Sequence, residues 1–264
     1  MGEYRAKTSP VEILSIGEEL LLGRIQDTNS FWLARRIAEL GGTVQRITVV
    51  GDDQPTIVRA LREALGRGAG TIVTTGGLGP TPDDLTIASV AELLGVGVRE
   101  DEAALADYCR RRETTVDQLS PALRRMATVP EGCEALLNPA GWAPAVRARA
   151  QGATIFVLPG PPREVEALFE RYLADYFRGT AECTRARRVY VGMWEAEVSP
   201  LLQEVMARVP GVYLKGYVAQ GEQRWLPVEV IARGADEASA QRALDDAVEL
   251  LRDLVRAADR AFQA

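Results

Sequence analysis

The sequence predicts an α/β domain with a mostly parallel sheet, followed by a smaller α+β domain. Two observations carry the first part. Short apolar runs that read as buried strands alternate with amphipathic helical stretches. Three of these runs end in glycine- or proline-rich turns that precede a helix. A third observation carries the second part: beyond residue 183 the rhythm changes to strand, helix, two strands and a long helix. The division falls between residues 1–183 and 184–264.

The elements follow in order. "VEILSIG" is a buried strand, and "TNSFWLARRIAELGG" keeps helical spacing through Phe31, Leu33, Ala34, Ile37 and Leu40. Thr28 or Asn29 can cap that helix, and Gly41-Gly42 end it. "TVQRITVVG" is a strand, and "DDQPTIVRALREALGRG" a helix with Asp53 as N-cap and Pro55 in its first turn. "TIVTTGG" and "LTIASVAELLGV" are the third strand and helix. "DEAALADYCRRRE" and "VDQLSPALRRMA" read as two more helices. In "RARAQGATIFVLPG", Gln151-Gly152 mark a hairpin, and "REVEALFERYLADYF" reads as a closing helix. In the second domain "RRVYVG" is a strand and "AEVSPLLQEVMARVPG" a helix. "VYLKGYVAQ" and "RWLPVEVIARG" are an antiparallel pair around Gly221. "ADEASAQRALDDAVELLRDLVRAA" is the long helix.

Composition narrows the chemistry. The 264 residues are 47% hydrophobic and 26% charged, ordinary for a globular chain of about two domains. The net charge of −6 argues against broad nucleic-acid binding, which needs phosphate neutralisation. No apolar run approaches the roughly 20 residues of a membrane span. The charged start "MGEYRA" reads neither as a signal peptide nor as a myristoylation signal, and a cytoplasmic location is expected. Cys109, Cys133 and Cys183 are widely spaced and suggest neither disulfides nor zinc. The chain has no histidine, which removes His bases and His-ligated metals. Its two lysines, Lys7 and Lys215, lie far from the glycine loop, so no Walker-type P-loop is present.

That loop, "TTGGLGPTPDDLT", leaves the third strand, and ligands of open α/β sheets bind at such ends. Gly76, Gly77 and Gly79 permit close backbone approach, and amides around Leu78 can face an anion. Thr75 and Thr81 add hydroxyls. Read as a turn alone, Thr81 would be the N-cap, Pro82 the first helical residue and Asp84 the box acid. Asp83 and Asp84 repel a bound phosphate unless a cation bridges them, and Mg2+ is commonly held by one or two carboxylates plus phosphate oxygens. Alternatively Asp84 accepts hydrogen bonds from a ring or sugar. The loop "GEELLLGRIQDTN" brings Glu18, Glu19 and Asn29. If the first and third strands are neighbours, Glu19, Asn29 and Asp84 face one crevice. "LPGPPRE" adds Gly160, Pro161, Pro162 and Arg163, the last suited to an anion. "NPAGWAP" adds Asn138, with Trp142 open either to ring stacking or to core packing.

These segments, in this order, resemble the N-terminal region of the competence/damage-inducible CinA family, a MoaB/Mog-like (molybdopterin-binding-like) domain. The resemblance spans Val11 to Phe177, and residues 187–256 resemble the KH-type module that follows it. It implies a three-layer α/β/α fold and a homodimer or other homo-oligomer. It implies one of two ligands. Some members are linked to metal-dependent hydrolysis of ADP-ribose, with Mg2+, Mn2+ or Co2+. The Mog relatives bind molybdopterin. Under the first, Asp84 with Glu19 is catalytic and Asp84 with Asp83 holds metal, while Arg163 and the loop amides hold phosphate. In the Mog relatives an Asp aligned with Asp84 follows the loop. Glu18 stands where the family usually has Asp. The family's nicotinamide mononucleotide deamidase domain is not matched, so a separate deamidase chain is a conceivable partner. The KH-type module lacks a GxxG loop, so nucleic acid is not expected as a partner.

Overall fold

The computed structural model of the chain describes residues 10–178, 183–217 and 225–264. These divide into two compact units: residues 10–38 with 42–178, and residues 39–41 with 183–264.

The first unit opens with β1 (Val11–Ile16), α1 (Glu18–Leu21), α2 (Thr28–Glu39), β2 (Val44–Val50), α3 (Gln54–Gly66), β3 (Thr71–Thr75) and α4 (Thr86–Leu94). Then come β4 (Val98–Glu100), α5 (Glu102–Arg112), a 3-10 turn at Val116–Gln118, α6 (Pro121–Met126), β5 (Thr128–Pro130) and β6 (Glu134–Leu136). It closes with β7 (Ala145–Ala150), β8 (Ala153–Leu158), α7 (Pro162–Leu168), a π turn at Phe169–Leu173 and α8 (Ala174–Phe177).

Six strands form one sheet in the order β2-β1-β3-β8-β7-β6, with β4 and β5 paired separately. β2, β1, β3 and β8 run parallel, and β7 and β6 continue antiparallel. Every residue of β1, β3 and β8 is buried, which is why these strands read as unbroken apolar runs. One face packs Ile72, Ile155 and Val157 with Ile57 and Leu61 of α3 and Val90 of α4. On the other face Phe156 meets Tyr176 edge-on at 5.0 Å, and Phe169 stacks on Phe177. The result is the three-layer arrangement that the family resemblance implied.

Register then sets the site. Ile16 pairs with Val50, Ser15 with Thr75, and Thr75 with Leu158. The four parallel strands therefore end at one level. The chain runs from β1 to β2 on one side, then crosses to β3 on the other. The β1–β3 boundary is thus the switch point where open α/β sheets form a crevice.

Local details agree with or correct the sequence reading. Gln151 and Gly152 have φ of 50° and 85°, the paired left-handed residues of a two-residue hairpin. Asp53 caps α3 by accepting from the Thr56 N–H. "VDQLSPALRRMA" is two pieces rather than one helix: Ser120 accepts from the Leu123 N–H and Pro121 begins α6. The closing helix contains the π turn. The helix after the glycine loop begins at Thr86, not at Thr81.

The second unit comprises β9 (Cys183–Val191), α9 (Glu195–Arg208), β10 (Val212–Gly216), β11 (Leu226–Gly234), α10 (Glu237–Ala257) and β12 (Phe262–Gln263). Its antiparallel sheet has the order β10-β11-β9-β12. The two-residue β12 escapes a pattern-based reading. Gly221 lies outside the described residues. Val198, Leu202 and Val205 of α9, with Leu244, Val248 and Leu251 of α10, bury one face of the sheet against Val189, Leu214, Val228 and Val230.

Candidate functional site

A cleft of about 570 Å3 opens where β1, β2, β3 and β8 end. That volume suits a small-molecule ligand. Its walls come from the loops after all four strands, with Met126 and Ala143 from the more distant chain.

The glycine loop closes on itself. Gly76 and Gly77 have φ of 103° and 68°, a region L side chains rarely adopt. A Cβ on Gly76 would strike the Ile16 carbonyl, and one on Gly77 would strike the Thr86 hydroxyl. The Gly76 N–H donates to the Leu158 carbonyl at 3.1 Å, and the Thr86 hydroxyl donates to the Gly76 carbonyl at 2.8 Å. Asp84 then locks the loop. Its Oδ1 accepts from the Gly79 N–H at 2.7 Å, and its Oδ2 from the N–H and hydroxyl of Thr81 at 2.8 and 2.6 Å. Gly79 has no room for a side chain because this carboxylate fills the space.

This geometry revises several roles expected from sequence. The Asp84 carboxylate serves the loop with three of its acceptor positions. The donors of Gly79 and Thr81 are spent on it, and Thr81 does not line the cleft. The N–H groups of Gly77 and Leu78 have no partner among the described residues. Among the described residues, no group of three or more Asp, Glu or Cys is arranged to hold a metal ion. Asp83 and Asp84 both border the cleft.

Asn29 does not cap its helix. Asp27 does so, its Oδ1 accepting from the Ser30 N–H at 2.9 Å while Oδ2 accepts from the Ser15 hydroxyl at 2.8 Å. Asn29 instead spans three loops. Its Nδ2 donates to Thr75 Oγ1 at 2.9 Å and to the Gly160 carbonyl at 2.7 Å. The Thr75 hydroxyl in turn donates to the Pro159 carbonyl at 2.9 Å.

Gly160, Pro161 and Pro162 line the cleft, and Arg163 does not. Arg163 is exposed on α7, whereas Glu164, one helical step away, borders the cleft. Asn138 stands behind Glu164. Its Nδ2 donates to Glu164 Oε2 at 2.7 Å and to the Ala143 carbonyl, and its Oδ1 accepts the N–H groups of Ala140 and Gly141. Trp142 packs edge-on against Tyr108 at 5.3 Å, under Arg111 at 4.0 Å, so the packing reading holds.

Three acids that border the cleft had no site role in the sequence reading: Asp27, Asp52 and Glu164. Asp52, at the end of β2, faces the cleft and accepts the Glu18 N–H at 2.8 Å. Burial raises its carboxyl above the ordinary value, and the charges of Glu19, Asp83 and Asp84 raise it further, while the Glu18 N–H works against them. The signal in the sequence was the doubled acid Asp52-Asp53, whose second member is the helix cap.

Six carboxylates border the cleft: Glu19, Asp27, Asp52, Asp83, Asp84 and Glu164. No Arg or Lys among the described residues does. Arg125 reaches the loop at the Asp84 carbonyl, 3.4 Å away, without lining the cleft.

Comparison with known proteins agrees with this architecture. Residues 12–179 match the family model described as "Probable molybdopterin binding domain". A protein of Pyrobaculum aerophilum is 37% identical over 94% of this chain and 96% of its own length. A CinA-like protein of Myxococcus xanthus is 37% identical over 88% of this chain, which spans 56% of that protein. The crystal structure of a CinA protein of unknown function from Thermoplasma acidophilum superposes with a TM-score of 0.59 at 33% identity, covering 66% of this chain and 99% of that one.

Two outcomes test the geometry. Asp84→Asn keeps one acceptor oxygen and loses the charge that collects three donors. Hydrogen bonds to a charged group contribute roughly 1.5–3 kcal/mol each. Hydrogen exchange of the Gly79 and Thr81 amides is expected to quicken at least tenfold in this variant, with the sheet amides unchanged. The second concerns Asp52. The folded chain holds its proton more tightly than the unfolded chain, so stability falls as pH rises from the ordinary carboxylate value through the raised folded one. Asp52→Asn, which keeps an acceptor for the Glu18 N–H, is expected to raise Tm at neutral pH and leave it nearly unchanged at acid pH.

Proposed function

The chain belongs to the CinA-like, MoaB/Mog-type molybdopterin-binding family, and from that premise we propose that its cleft binds a molybdopterin-type pterin phosphate without hydrolysing it. The observation that carries the reading is the lining: six carboxylates, no described basic side chain, and a glycine loop with partnerless N–H groups at Gly77 and Leu78. A pterin presents an exocyclic amine beside a ring N–H. A carboxylate accepts such a pair in parallel; with Asp84 closing the loop and Asp27 capping α2, the remaining acids are Glu19, Asp52, Asp83 and Glu164, of which Asp52 has one oxygen on the Glu18 N–H and Glu164 one on Asn138. Gly77 and Leu78 would take a single phosphate, with the dipole of α4 behind them. Buried ring contact would come from Ile16, Leu20 and Ile25. In this reading the protein works in the cytoplasm as a homo-oligomer; no helix among the described residues is long and apolar enough to cross a membrane.

One observation favours a second reading, metal-dependent hydrolysis of ADP-ribose. The negative charges of Glu19, Asp83 and Asp84 crowd Asp52, and a divalent cation would relieve them. The residues fit such an ion only in part. With Asp84 occupied by the loop, Asp52, Glu19 or Asp83 would supply one or two ligands, and substrate phosphate the rest. A bound cation would supply charge neutralisation for a leaving phosphate. A diphosphate without that cation would meet six carboxylates, which is why the pterin monophosphate is preferred.

Calorimetric titration of the whole chain separates the two. In EDTA, molybdopterin is expected to bind and ADP-ribose is not. Asp84→Asn is expected to weaken pterin binding at least tenfold, about 1.4 kcal/mol. Turnover of ADP-ribose with Mg2+, Mn2+ or Co2+, together with no pterin binding, would establish the second reading instead.

A further inference from the structure

The sheet of the second unit has one face under α9 and α10 and one face open. Alternation assigns the residues. Val189, Val191, Leu214, Val228 and Val230 point to the helices. Arg187 also belongs to that side, since it bonds Asp245 of α10. The open face carries Tyr190 of β9 and Tyr213 of β10, with Tyr217 just beyond β10. These tyrosines are 38%, 52% and 41% exposed.

Register arranges them in rows across the strands. Tyr190 pairs with Pro227, whose carbonyl accepts the Tyr217 N–H at 2.9 Å, so two tyrosines flank one proline. The next row is Lys215, Glu229 and Arg188. The row beyond it begins with Tyr213 opposite Ile231, and Arg233 follows on β11. Rows on one face are about 6.6 Å apart, two residues of strand rise. That is close to the spacing of successive bases in an extended single strand.

Charge distinguishes this face from the rest of the chain. Among the described residues it carries three cations, Arg188, Lys215 and Arg233, against one carboxylate, Glu229, on a protein whose net charge is −6. Lys215 is the one lysine among the described residues. Glu229 is engaged: its Oε2 accepts the Tyr217 hydroxyl at 2.7 Å, and Arg188 approaches its Oε1 at 4.0 Å. The bond holds the Tyr217 ring in place and leaves Lys215 and Arg233 for phosphates. A second copy of the chain is a poor occupant, because a two-fold contact would set this positive face against itself.

We propose that this open face binds single-stranded nucleic acid, with Tyr190, Tyr213 and Tyr217 stacking on bases and Lys215 and Arg233 contacting the backbone. Aromatic residues on an open antiparallel sheet bind bases without needing a sequence match, and flanking cations track phosphate. This route is independent of a GxxG clamp, so the absence of that loop does not bear on it. The overall acidity predicts weak binding that fades with salt.

The test is fluorescence anisotropy of the full chain with labelled oligo-dT and oligo-U of about ten nucleotides at low salt, with a duplex of the same length as control. Saturable binding of the single strands, at least tenfold tighter than the duplex, is expected. Tyr213→Ala and Tyr190→Ala should each weaken it roughly tenfold, whereas Tyr213→Phe should keep it, which separates stacking from misfolding. Lys215→Ala should reduce the salt slope by about one. Asp84→Asn should bind as the parent does, since the cleft is not involved. Absence of saturable binding, equal affinity for duplex, or indifference to both Tyr→Ala changes would overturn the proposal. So would a fall in sedimentation mass on Tyr213→Ala, which would make the face a contact between copies.

Discussion

The cleft depends on one amide nitrogen. Asn29 Nδ2 uses one hydrogen on Thr75 Oγ1 and the other on the Gly160 carbonyl. It thereby joins the start of α2, the end of β3 and the turn after β8. Each bond contributes only about 1 kcal/mol net. Their position matters more than their strength, because they fix the three loops that border the cleft. Asn29 can reach both only because β1, β3 and β8 end in register. It can point there only because Ser15, Asp27 and Ser30 hold the helix start: the Ser15 hydroxyl lies 2.7 Å from that of Ser30 and bonds Asp27.

A second constraint is electrostatic. Carboxylates in this cleft sit against glycine backbone rather than against cations: Glu19 on Gly17, Asp84 on Gly79, Glu164 on Gly141. A side chain at any of these glycines would displace the acid above it. The arrangement gathers like charge in one space; burial raises the Asp52 carboxyl first, and the charges of Glu19, Asp83 and Asp84 add to that rise. A folded chain optimised for stability alone would pair or remove these acids. Retaining them fits a ligand that donates hydrogen bonds or carries a cation with it. The same logic, inverted in sign, applies to the open sheet face of the second unit.

Much of this was legible in the sequence, for identifiable reasons. Central strands buried on both faces leave unbroken apolar runs, and helices with one buried face leave their 3.6-residue period. Gly76 and Gly77 were recognisable because positive φ leaves glycine almost alone as a choice. Orientation within a turn was not legible. Arg163 and Glu164 are adjacent in sequence, and only the exact start of α7 decides which one faces the cleft. Asn29 and Asp27 both suit a cap, and tertiary partners decide between them. Asp84 reads as a ligand acid until the loop is seen to fold back onto it. Asp52 was hidden because its neighbour already had a structural role.

The direct test of this account is hydrogen exchange in Asn29→Ala, read across the three loops at once. If one amide ties them together, exchange should quicken in concert at residues 27–30, 76–84 and 159–162, while the central strands stay protected. Faster exchange confined to residues 27–30 would contradict the account, because the glycine loop and the β8 turn would then be held without Asn29.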